Sequence, residues 1–120
     1  MNFAFSKTIA AVVLLLALAF IAGAHAILVK STPAANDTVS GPDLPVELTF
    51  NSKVDQARST LTLERPDHST SRLQVDLDPA SPAKLAARIL GLASGSYKLR
   101  WQVLAIDGHI TRGEIDFQVR

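Results

Sequence analysis

The feature that most restricts how this 120-residue chain can fold is the shortness of its apolar alternations. Beyond residue 25, apolar side chains recur at every second position in brief runs. Turn residues interrupt these runs every eight to twelve positions or so, a spacing typical of sandwiches and barrels. A period of two places alternate side chains on opposite faces of a strand, and no stretch sustains the 3.6 period of an amphipathic helix. Strands are predicted over Ala26–Lys30, Pro45–Asn51, Thr60–Glu64, Ser71–Leu77, Lys84–Leu90, Ser96–Ile106 and Arg112–Val119. Val46, Leu48 and Phe50 share one face of the second. Tyr97, Leu99, Trp101, Val103 and Ala105 share one face of the sixth, while Lys98, Arg100 and Gln102 point to water. Ala86-Ala87 leaves the fifth run compatible with a helical turn, but Leu85, Ala87 and Ile89 favour a strand. Pro66-Asp67-His68-Ser69 and Asp107-Gly108 read as turns. Seven short strands within one hundred residues fit an all-β, immunoglobulin-like sandwich.

A different pattern precedes the strands. Asn2–Lys7 carries one positive charge, Thr8–Ile21 is continuously apolar, and Ala22-Gly23-Ala24 is a small-x-small signal. These are the three parts of a secretory signal peptide, so residues 1–24 are expected to be removed and 25–120 to form a single domain. Two other readings compete. Ala24-His25-Ala26 also fits a cleavage signal, and Thr8–Val29 is long enough to serve as an uncleaved anchor. Cleavage after Ala24 makes His25 the first residue, with a free α-amine beside its own imidazole. Those two nitrogens can chelate one metal ion in a way an internal histidine cannot.

Composition narrows the function. Twelve Lys and Arg face eleven Asp and Glu, and loss of Lys7 with the leader leaves the two signs balanced, so no basic surface points to nucleic acid. There is no cysteine, and the single methionine is Met1. An exported form has neither a disulfide nor a sulfur ligand. Nitrogen and oxygen donors suit Cu(II) or Zn(II), whereas soft Cu(I) wants sulfur. The exported domain is expected to be a periplasmic monomer, not inserted in the membrane. No Gly-x-Ser-x-Gly elbow or phosphate-cradling glycine loop supports an enzyme.

Asp107-Gly108-His109 is the second place where donors cluster. Taken alone it reads as a hairpin turn, with Asp107 accepting backbone N–H groups and His109 in solvent. An extended backbone would put both side chains on one side; a tight turn would need another geometry, with Gly108 supplying the freedom. With His25 added, an amine, two imidazoles and a carboxylate form a set suited to tetragonal Cu(II). Sequence spacing leaves open whether the two ends of the chain meet. His68 lies in its own turn and reads as solvent-exposed.

The order of several motifs resembles the CopC family of periplasmic copper-binding proteins. The matching elements are His25-Ala26-Ile27-Leu28-Val29, Ser31-Thr32-Pro33-Ala34 and Val46-Glu47-Leu48-Thr49-Phe50. They continue with Gly95-Ser96-Tyr97-Lys98-Leu99-Arg100-Trp101, Asp107-Gly108-His109 and Gly113-Glu114-Ile115-Asp116-Phe117. The resemblance implies a seven-stranded Greek-key β-barrel or sandwich and a Cu(II) site at His25, Asp107 and His109. It implies a carrier or buffer in copper homeostasis or resistance, with an inner-membrane copper transporter of the CopD type as partner. Two departures are visible. Many relatives place an acidic residue just after the second strand, where this chain has Asn51-Ser52-Lys53. A methionine-rich Cu(I) loop is also missing, which leaves a Cu(II)-only version. Two functions from other classes stand beside this one: a metal-free periplasmic interaction module, and a copper-dependent oxidative enzyme, which would need an open coordination position and a substrate platform.

Overall fold

The computed structural model describes residues 25–120, and the expected leader over 1–24 lies outside the described residues. Among the described residues eight strands form two sheets: β1 (Leu28–Thr32), β2 (Asp37–Val39), β3 (Leu44–Phe50), β4 (Thr60–Glu64), β5 (Thr70–Leu73), β6 (Lys84–Ile89), β7 (Gly95–Leu104) and β8 (Ile110–Val119). One sheet runs β1-β3-β6 and the other β2-β8-β7-β4-β5. The chain changes sheet between β1 and β2, β2 and β3, β3 and β4, β5 and β6, and β6 and β7, and these crossings hold the two layers together. All pairings are antiparallel except β2 with β8.

The alternation read from the sequence is the burial pattern of the sandwich. Leu44, Val46, Leu48 and Phe50 of β3, with Leu85 and Ile89 of β6 beside them in the same sheet, face Leu61 and Leu63 of β4 and Leu99, Val103, Ile115 and Phe117 of the long hairpin; all are buried. Burying each such side chain contributes about 1.5–3 kcal/mol, which is how a domain without disulfides holds together. Tyr97 stacks on Phe117 with ring centroids 5.5 Å apart. Its hydroxyl donates to the Ala93 carbonyl at 2.7 Å, so its one polar atom is satisfied at the sandwich rim. Trp101 is half-buried and meets Phe50 edge-on at 5.4 Å across the sheets.

β7 ends at Leu104 and β8 begins at Ile110, each two residues earlier than expected, and three other regions differ. The first strand begins at Leu28, two residues later than expected, and takes in Ser31 and Thr32. The segment between the first two predicted strands contains β2, a three-residue strand parallel to β8, too short to show a period in sequence. The strand expected over Ser71–Leu77 ends at Leu73, and Leu77 is exposed. Here the chain leaves one sheet for the other. Gln56 fastens the crossing: its Nε2 donates to the carbonyls of Asp78, Ser81 and Lys84, while its Oε1 accepts from the Asp78 amide. The ambiguous fifth run is a strand, paired with β3 along its length.

Candidate metal centre

The β7–β8 hairpin supplies half of the site. Its register closes with Leu104 opposite Ile110, leaving residues 105–109 as the tip. The tip is tightly turned. The Gly108 amide donates to the Ala105 carbonyl at 2.9 Å, and the Ala105 amide donates to the His109 carbonyl at 2.8 Å. Gly108 has φ +91°, a conformation open to glycine at little cost. Asp107 and His109 therefore meet through a turn and not through the pleat of a strand. Oδ1 of Asp107 accepts the His109 amide at 3.1 Å, and Oδ2 lies 3.0 Å from His109 Nδ1. Nδ1 and a carboxylate oxygen at this distance share a proton, which leaves Nε2 as the ring's free lone pair. The His109 amide, then the imidazoles of His109 and His25, hold the Asp107 carboxyl below the usual range.

The chain's other end supplies the second half. Ala26 is buried, and its carbonyl accepts the Thr111 hydroxyl at 2.9 Å. The Ile27 amide donates to Asn51 Oδ1 at 2.8 Å, and the Ile27 carbonyl accepts the Asn51 amide at 2.9 Å. With both following residues tied down, His25 sets its ring 4.7 Å from that of His109, the planes inclined at 67°. The three residues singled out in the sequence are thus brought to one corner of the sandwich. His68 is not among them. It projects from its turn into solvent, 3.8 Å from Glu64 Oε2.

Among the described residues, no three His, Asp or Glu side chains stand in a finished metal cluster. Both carboxylate oxygens of Asp107 are engaged by His109. The His25 nitrogen is a peptide amide for as long as Ala24 precedes it. The donor types still fit a borderline divalent ion: two imidazoles, a carboxylate and, after cleavage, an amine.

Sequence reading missed the two residues that place His25. Thr111 gave no sign beyond lying just past the turn. Asn51 stood out only as a departure from the family pattern, and its oxygen is taken up by the Ile27 amide. The 53–55 segment also braces the tip. The Ile106 amide donates to the Lys53 carbonyl at 3.4 Å, and the Asp55 amide donates to the Leu104 carbonyl at 2.8 Å.

A two-sheet sandwich with donors gathered at one corner from both chain ends defines a small β-sandwich domain with a potential metal-binding corner. The CopC domain family model matches residues 28–120, and the chain belongs to that family. Copper resistance protein C of Xanthomonas campestris pv. juglandis is 32% identical over 81% of each protein. The crystal structure of CopC from Methylosinus trichosporium OB3b superposes with a TM-score of 0.74 at 30% identity, covering 79% of this chain and 93% of that one. PcoC from Escherichia coli, a methionine-rich copper resistance protein, gives a TM-score of 0.63 at 26% identity, covering 81% of this chain and all of that one. The names these relatives carry are those of copper proteins and not of enzymes.

Proposed function

We propose that this chain is a periplasmic Cu(II)-binding protein of copper homeostasis or resistance, acting as carrier or buffer. The observation that carries the reading is the 4.7 Å approach of His25 and His109 from opposite ends of the sequence, with Asp107 on the second ring. In this reading cleavage after Ala24 frees the His25 amine. Cu(II) is then held by that amine, the His25 imidazole, His109 and Asp107. The oxidation state follows from the donors. With no cysteine, and Met1 lost with the leader, only nitrogen and oxygen are available. Copper here is cargo. The hairpin fixes Asp107 and His109 before the metal arrives, so little ordering accompanies capture, and an inner-membrane transporter of the CopD type is the partner we infer.

The test begins with the intact mass of protein purified from the periplasm, followed by a Cu(II) titration and an electron paramagnetic resonance spectrum. A chain starting at His25, one equivalent of tightly held Cu(II) and a tetragonal spectrum with nitrogen couplings are expected. A chain starting at Ile27, or a flat titration, would overturn the proposal.

A further inference from the structure

The outer face of the five-stranded sheet carries an open cleft of about 360 Å³ that the metal centre does not use. Register places its walls. Thr62 stands opposite Arg72 on one side and Arg100 on the other. Strands lie about 4.8 Å apart, so the two arginines rise roughly 10 Å from one another with a small hydroxyl side chain between them. One step towards the hairpin tip, Gln102 stands between Thr60 and Arg112. The floor is low and hydroxylated, and the rim carries guanidinium groups.

The charges on this rim are not balanced. Arg100 is bonded to Glu64 at 3.0 Å and to Glu114 at 3.3 Å. Glu114 is the one carboxylate lining the cleft, and it is also shared with Lys98 at 3.3 Å. Lys98 and Arg100 together hold its carboxyl below the usual range. Nε of Arg112 donates to Gln102 Oε1 at 2.7 Å. A neutral oxygen orients that guanidinium without cancelling its charge. Among the described residues, neither Arg72 nor Arg112 forms an ion pair. Exposed sheet faces ordinarily set opposite charges across from each other, and like charges gathered together are unfavourable. Here two uncompensated planar forks border one cleft, and each is suited to two-point contact with an oxyanion.

We propose that this cleft binds a small polyanion through carboxylate or phosphate oxygens, gripped by Arg72 and Arg112 over the hydroxyls of Thr60 and Thr62. The volume lies within the range of small-molecule sites. The proposal does not depend on the copper reading.

Trp101, the chain's single tryptophan, lies in β7 beneath the cleft between Arg100 and Gln102, so its emission is followed alongside calorimetry. Copper-free protein from the periplasm is titrated with citrate and, separately, with inorganic phosphate, against sodium chloride at matched ionic strength, and calorimetry repeats each titration. A saturable signal with one or both anions is expected, and which of them binds tells carboxylate from phosphate. Arg72→Gln and Arg112→Gln should each weaken binding at least tenfold while circular dichroism stays unchanged. Arg112→Lys should remain weaker than native, because it keeps the charge but loses the fork. Binding no better than chloride by both methods, or undiminished in both glutamine variants, overturns the proposal. Binding of an acidic peptide but of neither small anion overturns it as well and makes the cleft a protein-docking face.

Discussion

The Thr111 hydroxyl donates to the Ala26 carbonyl at 2.9 Å, joining residues eighty-five positions apart. Thr111 lies two residues past His109 and Ala26 lies one residue past His25, so this bond sets the spacing of the two imidazoles. Thr111→Val keeps the shape but leaves a carbonyl on a buried residue unpaired, at a cost of about 1–3 kcal/mol. We expect a lower melting temperature and roughly tenfold weaker Cu(II) binding, with Thr111→Ser close to native in both. Calorimetric Cu(II) titration alongside thermal melts provides the check. Unchanged affinity in the valine variant would show that the bond does not place His25.

An extra alanine ahead of His25 turns the α-amine into a peptide amide and leaves every side chain in place. Cu(II) affinity should fall by orders of magnitude, because the six-membered chelate of amine and imidazole Nδ1 loses one of its two nitrogens. A competition titration against a chelator of known strength measures the loss. An extended protein that binds as tightly as the native one would remove the amine from the site.

Copper should leave as pH drops from about 7 to 5. Amine and imidazole nitrogens are more basic than a carboxylate, so protons displace the metal from nitrogen first. Asp107 titrates lower than usual, held down chiefly by the His109 amide. A depressed carboxyl keeps its charge above the ordinary carboxylate value and loses it only as pH falls through its own, lower one. It is therefore still ionised throughout the release window. Asp107→Asn should bind Cu(II) more weakly yet release it over the same interval, as followed by paramagnetic resonance. Release only below the ordinary carboxylate range in the native protein would make the carboxylate the gate instead.

Asn51→Asp retains an acceptor for the Ile27 amide and adds a negative charge two residues from His25 in hydrogen-bonded terms. Folding should be undisturbed and Cu(II) affinity should rise several-fold, with the gain shrinking in high salt as screening sets in. Asn51→Leu removes the acceptor and should weaken binding. If the aspartate variant binds no better at low ionic strength, the position acts by tethering alone.

Gly113 faces Trp101 across the hairpin. A Cβ at this position would stand 2.4 Å from Trp101 Cζ2 and 2.5 Å from Cε2. The indole has little room to retreat, since it already packs edge-on against Phe50 of the other sheet. Gly113→Ala should cost about 1–3 kcal/mol, the usual range for overpacking. That corresponds to a fall in melting temperature of several degrees for a domain of this size. A melt equal to the native one would mean that the ring moves aside freely.

The strands that carry the core were legible because their signal is local. Val46-Glu47-Leu48-Thr49-Phe50 and Leu61-Thr62-Leu63 alternate strictly, and one buried face forces that alternation on any sequence that folds this way. β2 and the early end of β5 were not legible. β2 is three residues held to β8 by backbone pairing, which leaves no trace in side-chain pattern. Ser71–Leu77 kept its apolar rhythm to the end, but β5 stops at Leu73 and by Asp76 the backbone bonds to Ala86 of the other sheet, with Gln56 holding Asp78 just beyond.

The donor types were fixed by residue identity alone. Imidazole and carboxylate chemistry belongs to His25, Asp107 and His109 wherever the chain puts them, and the lack of cysteine restricts the metal in any fold. Their meeting is a different kind of fact. It depends on Thr111 reaching Ala26, on Asn51 holding Ile27, and on a turn that folds Asp107 back onto His109. Such contacts join residues far apart in the chain, and their strength depends on distance and angle, quantities that a linear sequence does not contain.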